Sequence, residues 1–543
     1  MQASDTLIMI ALSFFDIVCQ RIVVAKFKRA IALGAVCVIS VSAIGFYRRS
    51  NKEVAWRPGE LPVAFWAWHS RAPRQTDVDA AIRQTGASAL FLRAGQIDLE
   101  AGRPRRIRAV AGAMPKDIKL HLVYNATRDF LSGFERLNPE EITEAVAGAY
   151  AFDTRRAVAD GASVDGAQLD FDVPTRLLTK YARLLVMVRE RLPADARLSI
   201  TGLPAWMTSR SLKDALSHVD FWIPQCYGAS IPDRLERSEP IASPQLVAKA
   251  VARACELGRP YYAGLAAYGY AIHYSRDGSL LGLRGDLDPE VVAGTSALEL
   301  TGRNTFGSAG RDSSAEAPSS ELRLVYRARR DCVIDCTPVR AGEWIVLEAP
   351  TSGSLRECAV AAREQGGNGL LGLCIFRLPT ADDRTTLSTQ QVACALADVD
   401  PVFSFKIQMI SKPRTGHVLV TLENDGATSS ILGLSAMTLL LRVPGGSVRA
   451  VSTEGFQAHE SLVDYRGAAP GDQDARLRVC SLRRAEVLRL KKSWWQPGAR
   501  ASALIEFAGE PPGSIQAEFV TVTDEGREFR EARTVQISQS GER

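Results

Sequence analysis

The chain has little excess charge, few cysteines and few histidines for its 543 residues. Lys and Arg total 66 against 61 Asp and Glu, and a net charge of +5 gives no support for a nucleic-acid partner, which needs a concentrated basic surface. Ten cysteines are too few for a disulfide-dense scaffold, and no pair of CxxC motifs predicts a structural zinc site. The six histidines are scattered without metal-ligand spacing, so we expect no metal.

Motifs of several enzyme classes are missing as well. No GxSxG, Walker A, HExxH or kinase motif lies near a suitable strand, which argues against a serine hydrolase, a nucleotide-binding protein or a zinc protease. We therefore expect no cofactor. Hydrophobic residues make up 46% and charged residues 23% of the chain, which are ordinary values for a folded protein and exclude a mostly disordered one.

The N-terminus has the pattern of an export signal. Residues 30–46 are apolar and uncharged, and at 1.5 Å per residue they span about 25 Å, slightly less than a bilayer core. Three basic residues precede this run and two arginines follow it, which favours an uncleaved signal anchor over a cleaved leader. We predict a signal-anchor region over residues 1–50 and an exported protein of the periplasm or cell envelope, anchored in the inner membrane. The alternative is a buried core helix.

Short apolar runs alternate with helix-period segments from about residue 60 to 380. The eight runs are 63–68, 88–93, 118–124, 166–172, 197–203, 219–227, 260–268 and 370–376. Apolar strands that alternate with helices predict a parallel sheet covered on both faces, and eight such units predict an α/β protein with a closed (β/α)8 TIM barrel. The alternative is an open doubly wound sheet, but no GxGxxG follows the first run.

Two regions depart from this alternation. Residues 269–350 form an insertion between the seventh and eighth units, on the side of the barrel that carries functional loops. From residue 400 to 543 the helical period disappears, and short strands separated by turns predict a β-sandwich-like domain. This domain either packs on the barrel or binds a carbohydrate, with Trp494 and Trp495 as the candidate aromatic platform.

In a TIM barrel the reactive side chains lie at the carboxyl ends of the strands. Aromatic and polar residues dominate these ends here, and aromatic rings stack on sugar faces. The candidate substrate-binding residues are Trp66, Trp68, Arg93, Tyr124, Gln168, Trp206, Gln225, Tyr268 and Phe376. Arg93 and Arg377 are candidates for binding an acidic sugar, for neutralising nearby acids or for a structural ion pair.

The fourth strand gives the sharpest functional signal. In the segment VDGAQLDFD, the period of two places Gln168, Asp170 and Asp172 on one face and turns Leu169 and Phe171 towards the helices. Two carboxyl groups on the interior face of a barrel disfavour joint ionisation, and such pairs are typical of acid–base catalysis. The alternative is that both acids reach solvent, or that one caps the following helix.

The segment 165–172, DGAQLDFD, resembles the DGxDxDxE motif of glycoside hydrolase family 18, the chitinase-like barrels. Residues 225–227 (QCY) resemble the QMY segment of that family, and residues 264–269 (GLAAYG) resemble its GLPxYG segment. The resemblance covers residues 60–380. The chain is also similar to a bacterial domain of unknown function, family 3142.

The resemblance implies roles for individual residues. Asp172 takes the place of the catalytic acid, Asp170 that of the residue that orients the substrate's acetamido group, and Tyr227 that of its hydrogen-bonding partner. Gln168 replaces the first acid of the motif, and Phe376 lies near the position of a floor-forming Trp. Asp172 is also one methylene shorter than the family's Glu, which retracts the carboxyl group by about 1.5 Å.

The sequence therefore predicts a glycoside hydrolase that acts on an envelope or extracellular polysaccharide. Its expected partners are a polysaccharide or oligosaccharide and, through the N-terminal helix, a membrane, but no nucleic acid. The alternatives are a non-catalytic glycan-binding barrel or scaffold in envelope assembly, and a purely structural interaction protein.

Overall fold

The computed structural model describes residues 61–539 with short gaps. Outside the described part lie 1–60, 229–231, 238–239, 286, 304–321, 381–382, 413–415, 431, 433–435, 446, 465–476, 524–526 and 540–543. The predicted signal-anchor region 1–50, with its apolar run 30–46, therefore lies outside the described residues. Within the described ranges, no helix has both the length and the apolar character needed to cross a membrane.

Strands and helices are numbered in chain order. The strands are β1 Val63–Ala67, β2 Ala89–Glu100, β3 Arg103–Ile107, β4 Lys119–Ala126, β5 Ser163–Asp170, β6 Arg197–Gly202, β7 Phe221–Pro224, β8 Tyr261–Ala266, β9 Tyr270–Tyr274, β10 Leu280–Arg284, β11 Leu298–Arg303, β12 Leu322–Ala328, β13 Cys332–Ile334, β14 Thr337–Val339, β15 Trp344–Ala349, β16 Leu370–Phe376, β17 Phe405–Lys412, β18 His417–Asn424, β19 Met437–Arg442, β20 Val448–Glu454, β21 Ala458–Asp464, β22 Leu477–Val479, β23 Val487–Lys492, β24 Arg500–Phe507, β25 Ser514–Val522 and β26 Glu528–Gln539. The helices are α1 Gln75–Thr85, α2 Arg128–Gly133, α3 Pro139–Ala159, α4 Leu178–Arg191, α5 Ser211–Leu216, α6 Pro244–Leu257, α7 Pro289–Gly294, α8 Ser352–Gln365 and α9 Thr389–Leu396.

Eight parallel strands close into a barrel in the order β1, β2, β4, β5, β6, β7, β8 and β16. The barrel closes where β16 pairs with β1 in parallel, with Val63 opposite Leu373 and Trp66 opposite Phe376. Each of the eight apolar runs contains all or most of one of these strands, except that run 88–93 covers only the first part of β2, so the predicted (β/α)8 barrel is confirmed and the open-sheet alternative is wrong.

Local sequence signals explain the helices that cover the barrel. Helix α6 begins with a proline after Ser243, whose side chain accepts a hydrogen bond from the backbone N–H of Leu246. It ends at Gly258, which adopts a φ of 68°, a left-handed conformation that glycine takes without steric cost. Its buried residues, Val247 among them, recur at helical spacing and pack against the outside of the strands.

Strand alternation divides the core of the barrel into two. Side chains that point inwards form a compact interior cluster of Ala64, Trp66, Phe91, Val123, Phe221, Ile223 and Cys374. The opposite faces of the same strands pack against the helices in a larger outer cluster. A residue's position along its strand therefore decides whether it can reach the barrel mouth.

The region between β8 and β16 carries additional strands. Five of them form an antiparallel sheet in the order β10, β9, β15, β12 and β11, and β13 and β14 form a separate hairpin. The sheet has its own apolar core, to which Leu324, Tyr326 and Ile345 contribute. The barrel strand β16 thus follows a second, folded sheet rather than a simple loop.

The C-terminal part is β-rich, as predicted. Its strands run in the order β20, β24, β18, β17, β26, β25, β19, β23, β21 and β22. One hydrophobic core takes side chains from both halves of this order, including Val420 on β18 and Phe519 on β25. Trp495 is fully buried in that core, so the expectation that it forms part of an exposed carbohydrate platform is wrong.

Candidate active site at the barrel mouth

Gln168 and Asp170 lie on the inward face of β5 near its carboxyl end, as the period of two predicts, and Asp172 follows just beyond the strand. Gln168 is fully buried, and its Oε1 atom accepts a hydrogen bond of 2.8 Å from the indole N–H of Trp66. Its Nε2 atom donates to Oγ of Ser199 at 3.2 Å. Gln168 therefore forms part of the polar floor of the barrel, with its amide committed to two neighbours rather than to a ligand.

Asp170 lies one step above this floor. The hydroxyl of Thr201 donates a hydrogen bond of 2.6 Å to Oδ1 of Asp170. Burial raises the pKa of Asp170 to about 7 and the nearby Asp172 raises it too, while the Thr201 hydrogen bond and Arg93 act in the opposite direction. Asp170 is therefore a carboxyl group that can hold a proton near neutral pH.

Asp172 follows two residues after the end of β5, at the rim of the mouth. It is exposed to solvent and makes no hydrogen bond or ion pair with any residue that the structure describes. The surrounding protein still desolvates its carboxyl group enough to raise the pKa. Because Asp170 and Asp172 interact, their protons are held by the pair rather than by either residue alone.

An aromatic wall faces the carboxyl pair. The rings of Tyr227 and Phe376 are stacked, with centroids 5.9 Å apart, and Tyr268 meets Phe376 edge-on at 4.9 Å. Burial raises the pKa of Tyr227 well above its ordinary value, and Tyr268 and Asp170 contribute to the same effect. The Tyr227 hydroxyl therefore keeps its proton and is close enough to Asp170 for the two groups to interact electrostatically.

Phe376 also joins this wall to the first strand. Its ring lies 5.8 Å from that of Trp66 and 5.7 Å from that of Trp68. Trp66 is buried in the barrel interior, whereas Trp68 is half-buried above it. Of the two tryptophans, Trp68 is thus the one placed to contact a ligand.

Arg93 reaches the mouth from β2. Its Nε atom donates a hydrogen bond of 3.0 Å to Oδ1 of Asn125, and its guanidinium lies over the Trp68 ring, 5.4 Å from the centroid. Asn125 is opposite Asp170 in the register of β4 and β5, so both side chains point into the mouth. Asn125 is a site residue that the sequence-based choice missed, because the register of β4 against β5 decides that it, rather than Tyr124, points into the mouth.

Tyr124 and Trp206 do not join this group. Tyr124 is fully buried on the helix side, where its hydroxyl donates to Asp153 on α3 at 3.1 Å. Trp206 packs in the same outer core, with its indole N–H bonded to the carbonyl of Val173. The prediction that these two rings contact substrate is therefore not supported by their positions, because each side chain points away from the mouth.

Two other candidate residues, Gln225 and Arg377, lie close to the site but have different partners. Gln225 is half-buried just after β7, and its backbone N–H donates to the carbonyl of Gly202. Arg377 instead forms an ion pair of 2.6 Å with the buried Asp383, which also lies 3.5 Å from His69. Arg377 therefore serves a structural ion pair in the loop after β16, rather than neutralising the carboxyl pair.

Metal ligation finds no support in the described ranges, where no group of three or more His, Cys, Asp or Glu side chains could hold an ion. No disulfide joins the eight cysteines found there.

One family and several solved structures are similar to this chain. The family described as Domain of unknown function (DUF3142) matches residues 134–286, which confirms the resemblance to family 3142 expected from the sequence. The matched stretch contains Asp170, Asp172 and Tyr227. None of the curated proteins matches the chain.

Similarity to the solved structures is low. The chitinase from Chromobacterium violaceum ATCC 12472 is 14% identical with a TM-score of 0.40, over 62% of this chain and 99% of its own. The spore cortex-lytic enzyme SleL from Bacillus megaterium QM B1551 is 11% identical with a TM-score of 0.40, over 63% and 75%. The chitinase-like agglutinin RobpsCRA from Robinia pseudoacacia is 11% identical with a TM-score of 0.39, over 61% and 98%. These values transfer no residue role to the chain.

Proposed function

We propose that this chain is a glycoside hydrolase that acts on an envelope or extracellular polysaccharide, with Asp172 as the general acid. The observation that supports this most is the pair of carboxyl groups at the barrel mouth. The pKa values of both are raised, and that of Asp170 is about 7. Proton-holding carboxyl groups beside an aromatic wall are what acid-catalysed cleavage of a glycosidic bond requires.

The two carboxyl groups have different surroundings and therefore different roles. Asp172 is exposed and without a protein partner in the described part of the chain, so its proton can reach a glycosidic oxygen. Asp170 is tied to Thr201 and lies deeper. Its ionised form orients the substrate or stabilises the positive charge that develops at the anomeric carbon, together with the Tyr227 hydroxyl.

Cleavage of the glycosidic bond begins with the transfer of a proton from Asp172. Protonated Asp172 donates to the glycosidic oxygen, the bond from that oxygen to the anomeric carbon breaks, and the leaving sugar departs as an alcohol. A water molecule then attacks the anomeric carbon and returns one proton to the Asp172 carboxylate. Because Asp172 must be protonated at the start, activity decreases as the pH rises through the range in which the pair loses its shared proton.

We also propose that the substrate lies outside the inner membrane. The apolar run 30–46 and its basic flanks support a signal anchor, which would place the barrel on the periplasmic side. The polymer would then be a component of the envelope or of its surroundings.

A second candidate function is a glycan-binding barrel that does not cleave its ligand. Gln168, which stands where the family motif has an acid, favours this alternative. Its amide is bonded to Trp66 and Ser199, so it neither ionises nor exchanges a proton with Asp170. A barrel that lacks this proton exchange between two side chains, and whose Asp172 is shorter than the family's Glu, keeps its binding surface but has a less effective general acid.

One experiment separates the two functions. The purified protein, its Asp172→Asn variant and the control Asp195→Asn, which changes an exposed acid after α4, are incubated with β-linked amino-sugar and neutral polysaccharides. New reducing ends and binding are measured in parallel. We expect release by the wild type and the control, and at least about a hundredfold less by Asp172→Asn, because general acid catalysis contributes 10²–10⁴-fold.

The other outcomes are equally informative. Saturable binding without release by any of the three proteins would support the glycan-binding barrel. Undiminished release by Asp172→Asn would refute the role of Asp172. Neither release nor binding would refute both functions and leave a structural interaction protein.

A further inference from the structure

Arg93 presents a cation to the barrel mouth that no carboxylate of the described residues neutralises by an ion pair. Its guanidinium is half-buried, held through Nε by Asn125 and lying over the Trp68 ring. The two terminal nitrogens make no hydrogen bond with any described residue. Because Asn125 holds Nε and the Trp68 ring lies against the guanidinium plane, the two terminal NH2 groups are held in a fixed orientation before any ligand binds.

The acids of the site do not cancel this charge. Asp170 is close enough to interact with Arg93, but no ion pair within 4 Å joins them. Asp170 also holds a proton near neutral pH, since its pKa is about 7, and is then uncharged. Because no ion pair joins the two side chains, Arg93 keeps its positive charge available to a ligand in either protonation state of Asp170.

A second arginine strengthens the positive potential on this side. Arg108 follows β3, the strand that forms a hairpin with β2, and it is exposed. Burial lowers the pKa of Arg93, and the like charge of Arg108 lowers it further. Two neighbouring cations that repel each other gain free energy when an anion binds between or beside them.

We propose that Arg93 selects a glycan that carries an anionic substituent, a carboxylate or an ester sulfate, on a sugar seated at the barrel mouth. The inference rests on the proposed function, since it names the substrate class of the same site. The two terminal nitrogens of a guanidinium match two oxygens of a carboxylate or sulfate, which makes the contact both strong and directional. Arg93 is thus a specificity-determining residue rather than an acid or base.

The test uses two series of hexasaccharides, β-1,4-linked N-acetylglucosamine and β-1,4-linked glucose, and within each series the members differ only at C6. That carbon carries a hydroxyl group, is oxidised to a carboxylate, or carries an O-sulfate. Binding is measured by calorimetry at pH 6.5, in low and in high salt. Every protein carries Asp172→Asn, so that the glycans are not cleaved during the measurement.

Two substitutions are compared in that background. Arg93→Gln removes the charge while keeping a hydrogen-bond donor. Arg103→Gln removes an equal charge from the same hairpin, where the Arg103 side chain is 74% exposed and its nearest carboxylate, on Glu141, is 3.8 Å away. The control therefore separates the effect of the Arg93 guanidinium from the general charge of the protein.

We expect the anionic hexamers to bind at least tenfold more tightly than the neutral ones, with the preference decreasing in high salt. Arg93→Gln is expected to reduce the ratio to near one, and Arg103→Gln to leave it within about twofold of the parent ratio. Carboxylate binding without sulfate binding, or the reverse, would identify the substituent.

Three results would overturn the inference in different ways. Equal binding of neutral and anionic hexamers would refute anion selection while the proposed function stands. A preference that survives Arg93→Gln would also refute the role of Arg93. Binding to none of the six hexamers, by the parent or by the protein without Asp172→Asn, would count against the proposed function together with this inference.

Discussion

Replacing Asp170 by Asn tests the electrostatic cost of the carboxyl pair independently of any substrate. Asn has the same shape, and its carbonyl oxygen can accept the hydrogen bond that Thr201 donates to Asp170. The pKa of Asp170 is about 7 in the folded protein against an ordinary value of 3.8. A difference of this size corresponds to at most about 4 kcal/mol of unfavourable free energy once the group is ionised.

The direction in which stability changes with pH follows from proton binding to Asp170. Between pH 4 and 7 the folded chain holds the Asp170 proton more tightly than the unfolded chain does, so the free energy of unfolding decreases as the pH rises through this window. Asp170→Asn removes this dependence. We expect the variant and the wild type to be equally stable near pH 4, and the variant to be more stable at pH 8 by about 1 to 3 kcal/mol, since solvent at the mouth screens part of the cost.

The measurement is the difference in urea denaturation between variant and wild type from pH 4 to 8.5, followed by tryptophan fluorescence. Asp195→Asn serves as the control, because the acid it replaces is exposed, and we expect its difference to stay constant with pH. A variant that is no more stable than the wild type at pH 8, or equally stabilised at both ends of the range, would refute the assignment of a partly buried, proton-holding Asp170.

Two further predictions concern polar groups that support the site. Gln168→Met leaves the indole N–H of Trp66 and the hydroxyl of Ser199 without their buried partner, and we expect unfolding to become easier by about 1–3 kcal/mol in urea denaturation; an unchanged midpoint would contradict the floor described above. Arg106→Met removes the cation paired with the fully buried carboxylate of Asp153 and leaves it the Tyr124 hydrogen bond, and we expect a loss of about 3–5 kcal/mol. The exposed neighbour Arg103→Met should change the same free energy by less than about 0.5 kcal/mol, and equal effects of the two would contradict the buried pair.

Much of the barrel could be predicted because its strands are buried on both faces. Such strands are continuous apolar runs, and each run coincides with a strand to within a few residues, except that β2 continues to Glu100 and turns into the hairpin with β3. The period of two likewise placed Gln168 and Asp170 on the inward face. Local pattern alone was sufficient for these features.

The remaining site residues depend on information that one segment does not contain. Whether Tyr124 or Asn125 points into the mouth is decided by the register of β4 against β5, in which Asn125 lies opposite Asp170. Trp206 follows the end of β6 in a single helical turn, where no strand alternation applies. The partner of Arg377 is set by the loop that carries Asp383, six residues later in the chain. Long-range register and loop conformation therefore limited the prediction of the site.

The pairing that closes the barrel also dictates when the protein can finish folding. Strand β1 can pair with β16 only after β16 has been synthesised. Val63 on β1 pairs with Leu373 on β16, and these two residues are 310 positions apart in the chain. At 5–20 residues per second, synthesis takes about 15 to 60 s to reach β16, and during this time the backbone edge of β1 that will pair with β16 has no partner. The antiparallel sheet between β8 and β16 joins segments closer in sequence and can form first, which brings β16 towards its place. Until then the nascent barrel exposes an unpaired strand edge, at which other chains can pair.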